Sequence, residues 1–191
     1  MKRNSGIRLS IAFVLMQTIV ILAQPLMGQQ TFCNPLNLNY RFMVDATDAR
    51  EAADAVIVLY KDDYYLFASR SGGYWTSPDL RNWTFIVPTN LNVEGYAPTA
   101  IVMRDTMFFT HGWGGGAIHV YKTADPKSGI WIKGPRISEY GDPNLYLDDD
   151  GRLYMYDGLS NTTTEAIGRV VELDPVTFEE IGDQVDIFSS N

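Results

Sequence analysis

A strand-and-turn unit returns at a fixed interval along this chain, and that recurrence restricts the fold more than any other feature. Ala55–Tyr60 and Tyr64–Ser69 flank Lys61-Asp62-Asp63 and read as a hairpin. Ile101–Met103 and Met107–Thr110 flank Arg104-Asp105-Thr106 as a second. Leu145–Leu147 and Leu153–Tyr156 flank Asp148-Asp149-Asp150-Gly151 as a third. A further apolar or aromatic strand, a turn and a fourth strand follow each hairpin. In the first unit these are Gly73–Thr76, Ser77–Asn82 and Trp83–Val87. Asp54, Pro98 and Asp142 stand just before the three hairpins at intervals of 44 residues. Ser77-Pro78-Asp79, Ala124-Asp125-Pro126 and Asp174-Pro175 precede Trp83, Trp131 and Phe178 at a matching later phase. Four-stranded units recurring every 40–50 residues or so are the signature of propeller blades. The expected fold is therefore all-β, a β-propeller with about three blades present. An all-β sandwich with regular turns is the alternative.

Three blades leave a ring open, since propellers close with about 4–8. The chain is accordingly expected to be the front of a longer protein, with residues 33–191 forming a partial propeller domain. Residues 1–28 read differently. Lys2, Arg3 and Arg8 precede the apolar run Ile11–Ala23. Its thirteen residues are short against the roughly 20 of a spanning helix and fit the core of a secretory signal. The expectation is a secreted or periplasmic protein with no membrane association beyond export. Losing that segment moves the formal charge from −8 to −11, because three cations and no anion leave with it. So acidic a surface disfavours nucleic acid and acidic polymers and is compatible with a neutral polymer. Cys33 is the one cysteine, so stability must come from packing and not from an internal disulfide.

An aspartate that starts the innermost strand of a blade points toward the ring axis, where a ligand would sit. Asp54 precedes the buried-type run Ala55–Leu59, and Asp142 holds the same place in Gly141-Asp142-Pro143-Asn144-Leu145. A carboxylate beside a buried strand start is costly without a partner or a role. A turn cap is the competing explanation for each. Tyr96, Trp75 and Trp113 are candidate binding platforms, because the flat C–H faces of a ligand stack on aromatic rings. Packing between blades competes for Trp75. His111 is a candidate for lining the channel. Neither it nor His119 forms a zinc set without a third ligand. Asp148–Gly151 lacks the spacing of a calcium loop, and Gly112–Gly116 lacks the Lys-Ser/Thr of a phosphate loop. No metal and no cofactor is expected.

The chain resembles glycoside hydrolase family 43. The motifs that carry the resemblance are Ala53-Asp54-Ala55-Val56-Ile57 with Tyr64-Tyr65-Leu66-Phe67, then Ser77-Pro78-Asp79-Leu80-Arg81-Asn82-Trp83, then Tyr96-Ala97-Pro98-Thr99, and last Asp142-Pro143-Asn144-Leu145-Tyr146 with Asp148-Asp149-Asp150-Gly151 and Leu153-Tyr154. The resemblance implies a five-bladed propeller that cleaves arabinose- or xylose-containing plant-type glycans with inversion, acting as a monomer at full length. It implies that Asp54 is the general base and that Asp142 orients the catalytic acid and raises its pKa. It places the acid, a Glu beside Gly-Pro in a fourth blade, after Asn191. Ala55 stands where the family usually has Pro, and Glu165 lacks the acid's context. A propeller that grips sugar without cleaving it, and one that binds protein partners, are the competing functions.

Overall fold

Alternating side chains and tight two-residue turns build this molecule one hairpin at a time. The structure is a computed structural model that describes residues 53–113, 117–158 and 167–189. One compact unit, Leu36–Asn191, holds all of them. Twelve strands are described. The first sheet holds β1 (Val56–Tyr60), β2 (Asp63–Phe67), β3 (Tyr74–Ser77) and β4 (Thr84–Ile86). The second holds β5 (Thr99–Met103), β6 (Thr106–Thr110), β7 (His119–Thr123) and β8 (Ile132–Arg136). The third holds β9 (Asn144–Leu147), β10 (Leu153–Asp157), β11 (Ile167–Leu173) and β12 (Glu180–Ser189). Each sheet is antiparallel, with its strands in chain order. The all-β expectation is met, with a short 3-10 turn at Pro126–Ser128 the one helical element among the described residues.

The first two hairpins close with Lys61-Asp62 and Arg104-Asp105, all four residues at positive φ. That is the backbone of a type I′ turn, whose twist matches the strands it joins. The third needs a longer turn. There the Asp148 amide donates to the Arg152 carbonyl, the Gly151 amide donates to the Asp148 carbonyl, and Gly151 takes φ 87. The Asp148–Gly151 run thus serves as a hairpin turn.

Alternation along the second sheet fills both of its faces. Ala100, Met107, Phe109 and Tyr121 join Tyr60, Phe67, Tyr74 and Trp131 in a core between the first and second sheets. The residues between them, Met103, Phe108 and Val120, join Leu145, Met155, Val171 and Phe178 in a core between the second and third. The inner strands β1, β5 and β9 are neighbours in that order. The outer sheets each keep an apolar face in contact with solvent: Ile57 and Leu59 on the first, Tyr146, Tyr156 and Val185 on the third.

Candidate functional site at the starts of the inner strands

Each inner strand is entered through the same local structure. The amide two residues past the one paired with the inner strand's first residue donates to a carbonyl three residues ahead of that strand. The three bonds run from Ser69 to Ala53 (2.9 Å), from Gly112 to Tyr96 (2.7 Å) and from Gly158 to Gly141 (2.8 Å). The residue after each carbonyl turns into the left-handed region: Asp54 at φ 52, Ala97 at φ 46 and Asp142 at φ 47. The true repeat phase thus pairs Asp54 and Asp142 with Ala97, not with Pro98. The pyrrolidine ring holds φ near −65°, so a left-handed residue must fall one place earlier.

Two of the three equivalent positions therefore carry carboxylates, and both are exposed. Desolvation is the main reason that Asp142 is held above the ordinary carboxylate range, and the negative charge of Asp54 adds to it. Asp54 is anchored. The Ser69 hydroxyl donates to its Oδ2 at 2.9 Å.

Beside these carboxylates lies an aromatic stack. The rings of Tyr96 and Trp113 are parallel to within 26° with centroids 4.9 Å apart. The Arg70 guanidinium donates to the Tyr96 hydroxyl at 3.0 Å and lies 5.6 Å from the ring centre. Trp113 keeps 37 % of its surface exposed. Trp75 is different. It sits within β3, 2 % exposed and tilted against Phe85, so packing occupies its ring and it offers no platform. His111 is also buried, which corrects its expected place as a channel-lining side chain. The Gly112 carbonyl can only accept, so the 2.7 Å contact fixes the proton on Nδ1. Nε2 then accepts from the Asn92 amide at 3.0 Å. Burial pulls the His111 pKa down, which favours this neutral form. Gly95 makes room for the ring, since a Cβ there would come within 2.1 Å of Nδ1. An open groove of about 660 Å³ lined by Asn90, Asn92, Tyr121, Trp131 and Lys133 includes neither carboxylate.

Comparison with family sequence profiles and with curated proteins gives no match. Solved structures do match. A thermostable family-43 glycoside hydrolase superposes with a TM-score of 0.58 at 20% identity, over 84% of this chain and 57% of its own. A xylan β-1,4-xylosidase from Bacillus halodurans C-125 gives 0.56 at 22% identity, over 74% of this chain and 33% of its own. A family-43 arabinoxylan arabinofuranohydrolase from Bacillus subtilis gives 0.53 at 21%, over 75% and 42%. The chain has the fold of family-43 glycoside hydrolases. It spans from about a third to just over half of the length of these three structures.

Within the family-43 fold, the described residues hold Asp54, Asp142, Tyr96 and Trp113 around the entrances to the inner strands. Residues 1–28, expected to be a secretory signal, and also Cys33 and Glu165 lie outside the described residues. Sequence reading missed Ser69, Arg70 and Asn92. A signal for Ser69 existed: it fills the place held by Gly112 and Gly158 in the other two units.

The raised pKa of Asp142 has a thermodynamic consequence. Its folded state holds the proton more tightly than the unfolded chain does. Its contribution to stability therefore falls as pH climbs from the ordinary carboxylate range to the raised value. Asp142→Asn removes this titration, and Asn tolerates a left-handed φ. The melting temperature of the variant is expected to gain on that of the parent between pH 4 and pH 7, read by circular dichroism. An unchanged difference across that range would show that Asp142 is not desolvated.

Proposed function

We propose that this chain is the N-terminal part of an exported glycoside hydrolase of the family-43 type. In this reading its sheets are the first three blades of a five-bladed propeller. The carbohydrate is a plant-type glycan with arabinofuranosyl or xylosyl ends, and the bond is cleaved with inversion. Asp54 is the general base and takes a proton from the attacking water. A carboxylic acid in a later blade protonates the leaving oxygen, and Asp142 keeps that acid protonated by placing negative charge near it. Inversion needs the base and the acid roughly 6.5–9.5 Å apart, so that a water fits on the far side of the sugar.

One observation carries the reading. Asp54 and Asp142 hold the same left-handed position ahead of two inner strands, and the charge of one bears on the other. Two turn caps unrelated in function would not need to share a field. The Tyr96–Trp113 stack supplies a flat face for a sugar beside them. The same stack supports a second reading, a propeller that binds sugar without cleaving it.

The test is hydrolysis of 4-nitrophenyl α-L-arabinofuranoside and β-D-xyloside by this chain and by a form extended through two further repeats. Turnover by the extended form supports the hydrolase. Well-folded protein that retains the sugar on an affinity gel without turnover moves the assignment to the binding propeller.

A further inference from the structure

Ser69 is fully buried, and its hydroxyl has two partners, one just ahead of the first sheet and one just ahead of the second. It lies two residues past β2, and its own amide is bonded to the Ala53 carbonyl, which fixes its backbone beside Asp54. Its Oγ accepts the amide of Ala97 at 2.9 Å, from the residue two places ahead of β5. An amide can only donate, so this contact occupies a lone pair on Oγ and leaves the hydroxyl proton free to point elsewhere. It points at Asp54 Oδ2, 2.9 Å away. The direction of the hydroxyl is thus set by the backbone that leads into the next sheet. Gly112 and Gly158 stand in the corresponding places of the other two units and have no side chain to do this. Ala97, the residue corresponding to Asp54 in the second unit, has no carboxylate to receive such a bond.

We propose that Ser69 is a positioning residue for Asp54, holding Oδ2 through a hydroxyl that the backbone leading into β5 orients, so that Oδ1 faces the attacking water. This rests on the reading of Asp54 as the general base. Asp54 is exposed and itself takes the left-handed conformation ahead of β1, so its side chain has room to rotate. A single charge-assisted bond from a buried, doubly tied hydroxyl removes that freedom. The Ala97 amide makes the positioning depend on how the first and second sheets meet. A shift at that junction, even one far from the sugar, would therefore reach the base. The role differs from that of Thr99, whose Oγ1 accepts the Leu145 amide at 2.9 Å and joins the second and third sheets without touching a carboxylate.

The first test uses this chain labelled with [4-13C]aspartate. Ser69→Ala is expected to move the Asp54 carboxyl signal, assigned by its loss in Asp54→Asn. It should also speed hydrogen exchange of the Ala97 amide at least tenfold. Ser69→Thr keeps the hydroxyl and should restore both. An unmoved Asp54 signal in folded Ser69→Ala overturns the proposal. Should that variant fail to fold, the Ser69 hydroxyl proton in the parent decides. It must show a nuclear Overhauser contact to the Ala97 amide and shift in Asp54→Asn, and no shift overturns the proposal. In the extended form, Ser69→Ala should lower kcat by about 10–100-fold with KM within twofold, the signature of a misplaced group, and Ser69→Thr should recover most of it. If Asp54→Asn itself leaves hydrolysis unchanged, the base assignment fails while the carboxyl signals still report on the Ser69 link.

Discussion

Asp54→Asn is expected to lower hydrolysis of the two nitrophenyl glycosides by the extended form about 10²–10⁴-fold, the usual worth of a general base. The substitution is close to isosteric, and Asn accepts the left-handed φ of 52 that Asp54 occupies. Ala at this position would mix lost chemistry with backbone strain of roughly 1 kcal/mol or more. The amide oxygen can still accept the Ser69 hydroxyl, so the local hydrogen bond survives. The melting temperature should stay within a few degrees of the parent, because an exposed side chain that keeps its hydrogen bond contributes little to stability. A large loss of turnover with an unchanged melt would isolate a chemical role. Equal turnover would remove Asp54 from the reaction and leave it as a turn residue.

The largest effect on the fold itself is expected from Trp131→Ala. Trp131 is 1 % exposed and sits just ahead of β8. Its ring meets Phe67 at 6.1 Å, Tyr74 at 5.9 Å and Phe109 at 6.1 Å, so it joins the first sheet to the second. Its Nε1 donates to the Tyr74 hydroxyl at 3.1 Å, and that hydroxyl donates in turn to the Pro126 carbonyl. Truncation opens a cavity between the sheets and deprives the Tyr74 oxygen of a donor. A buried Trp→Ala costs about 3–5 kcal/mol, against a total stability for most domains of only 5–15 kcal/mol or so. The melting temperature should fall by about 10 °C or more. Ile132→Ala is the control. That neighbour is 59 % exposed and should change stability by no more than about 0.5 kcal/mol. A Trp131→Ala variant as stable as the control would mean that the first two sheets do not depend on this contact.

Much of the architecture was legible because its turns are chemically explicit. Lys61-Asp62 and Arg104-Asp105 announce hairpins through residues that suit tight turns, and strand alternation on either side completes the unit. The 44-residue interval gave the right period but set one phase a residue late. The fixed φ of Pro98 was the clue to the right phase, since it leaves Ala97 to take the left-handed conformation. The aromatic assignments divided on burial. Trp75 and Trp113 look alike in sequence, each near glycine and tyrosine or histidine. Whether a ring meets solvent depends on which neighbouring side chain covers it, and Phe85 covers Trp75. His111 is a candidate for the channel in sequence. Its two ring nitrogens are in fact satisfied internally by Gly112 and Asn92, a pairing with no sequence signature. Ser69 stood out only by replacing the glycine of the other two units; its link to Ala97 left no signal, since any residue but proline would offer that backbone amide.

The order of strands within each sheet divides the molecule's tasks. Ladder bonds join strands that follow one another in the chain, so each sheet is specified by its own stretch of sequence. The segments that carry Tyr96, Ala97 and Asp142 are the long returns from an outermost strand to the next innermost one, and they lie outside the ladders. Substitutions there can reshape what the entrance grips while the ladders keep their register. Such a chain is free to exchange one binding preference for another without first learning to fold again.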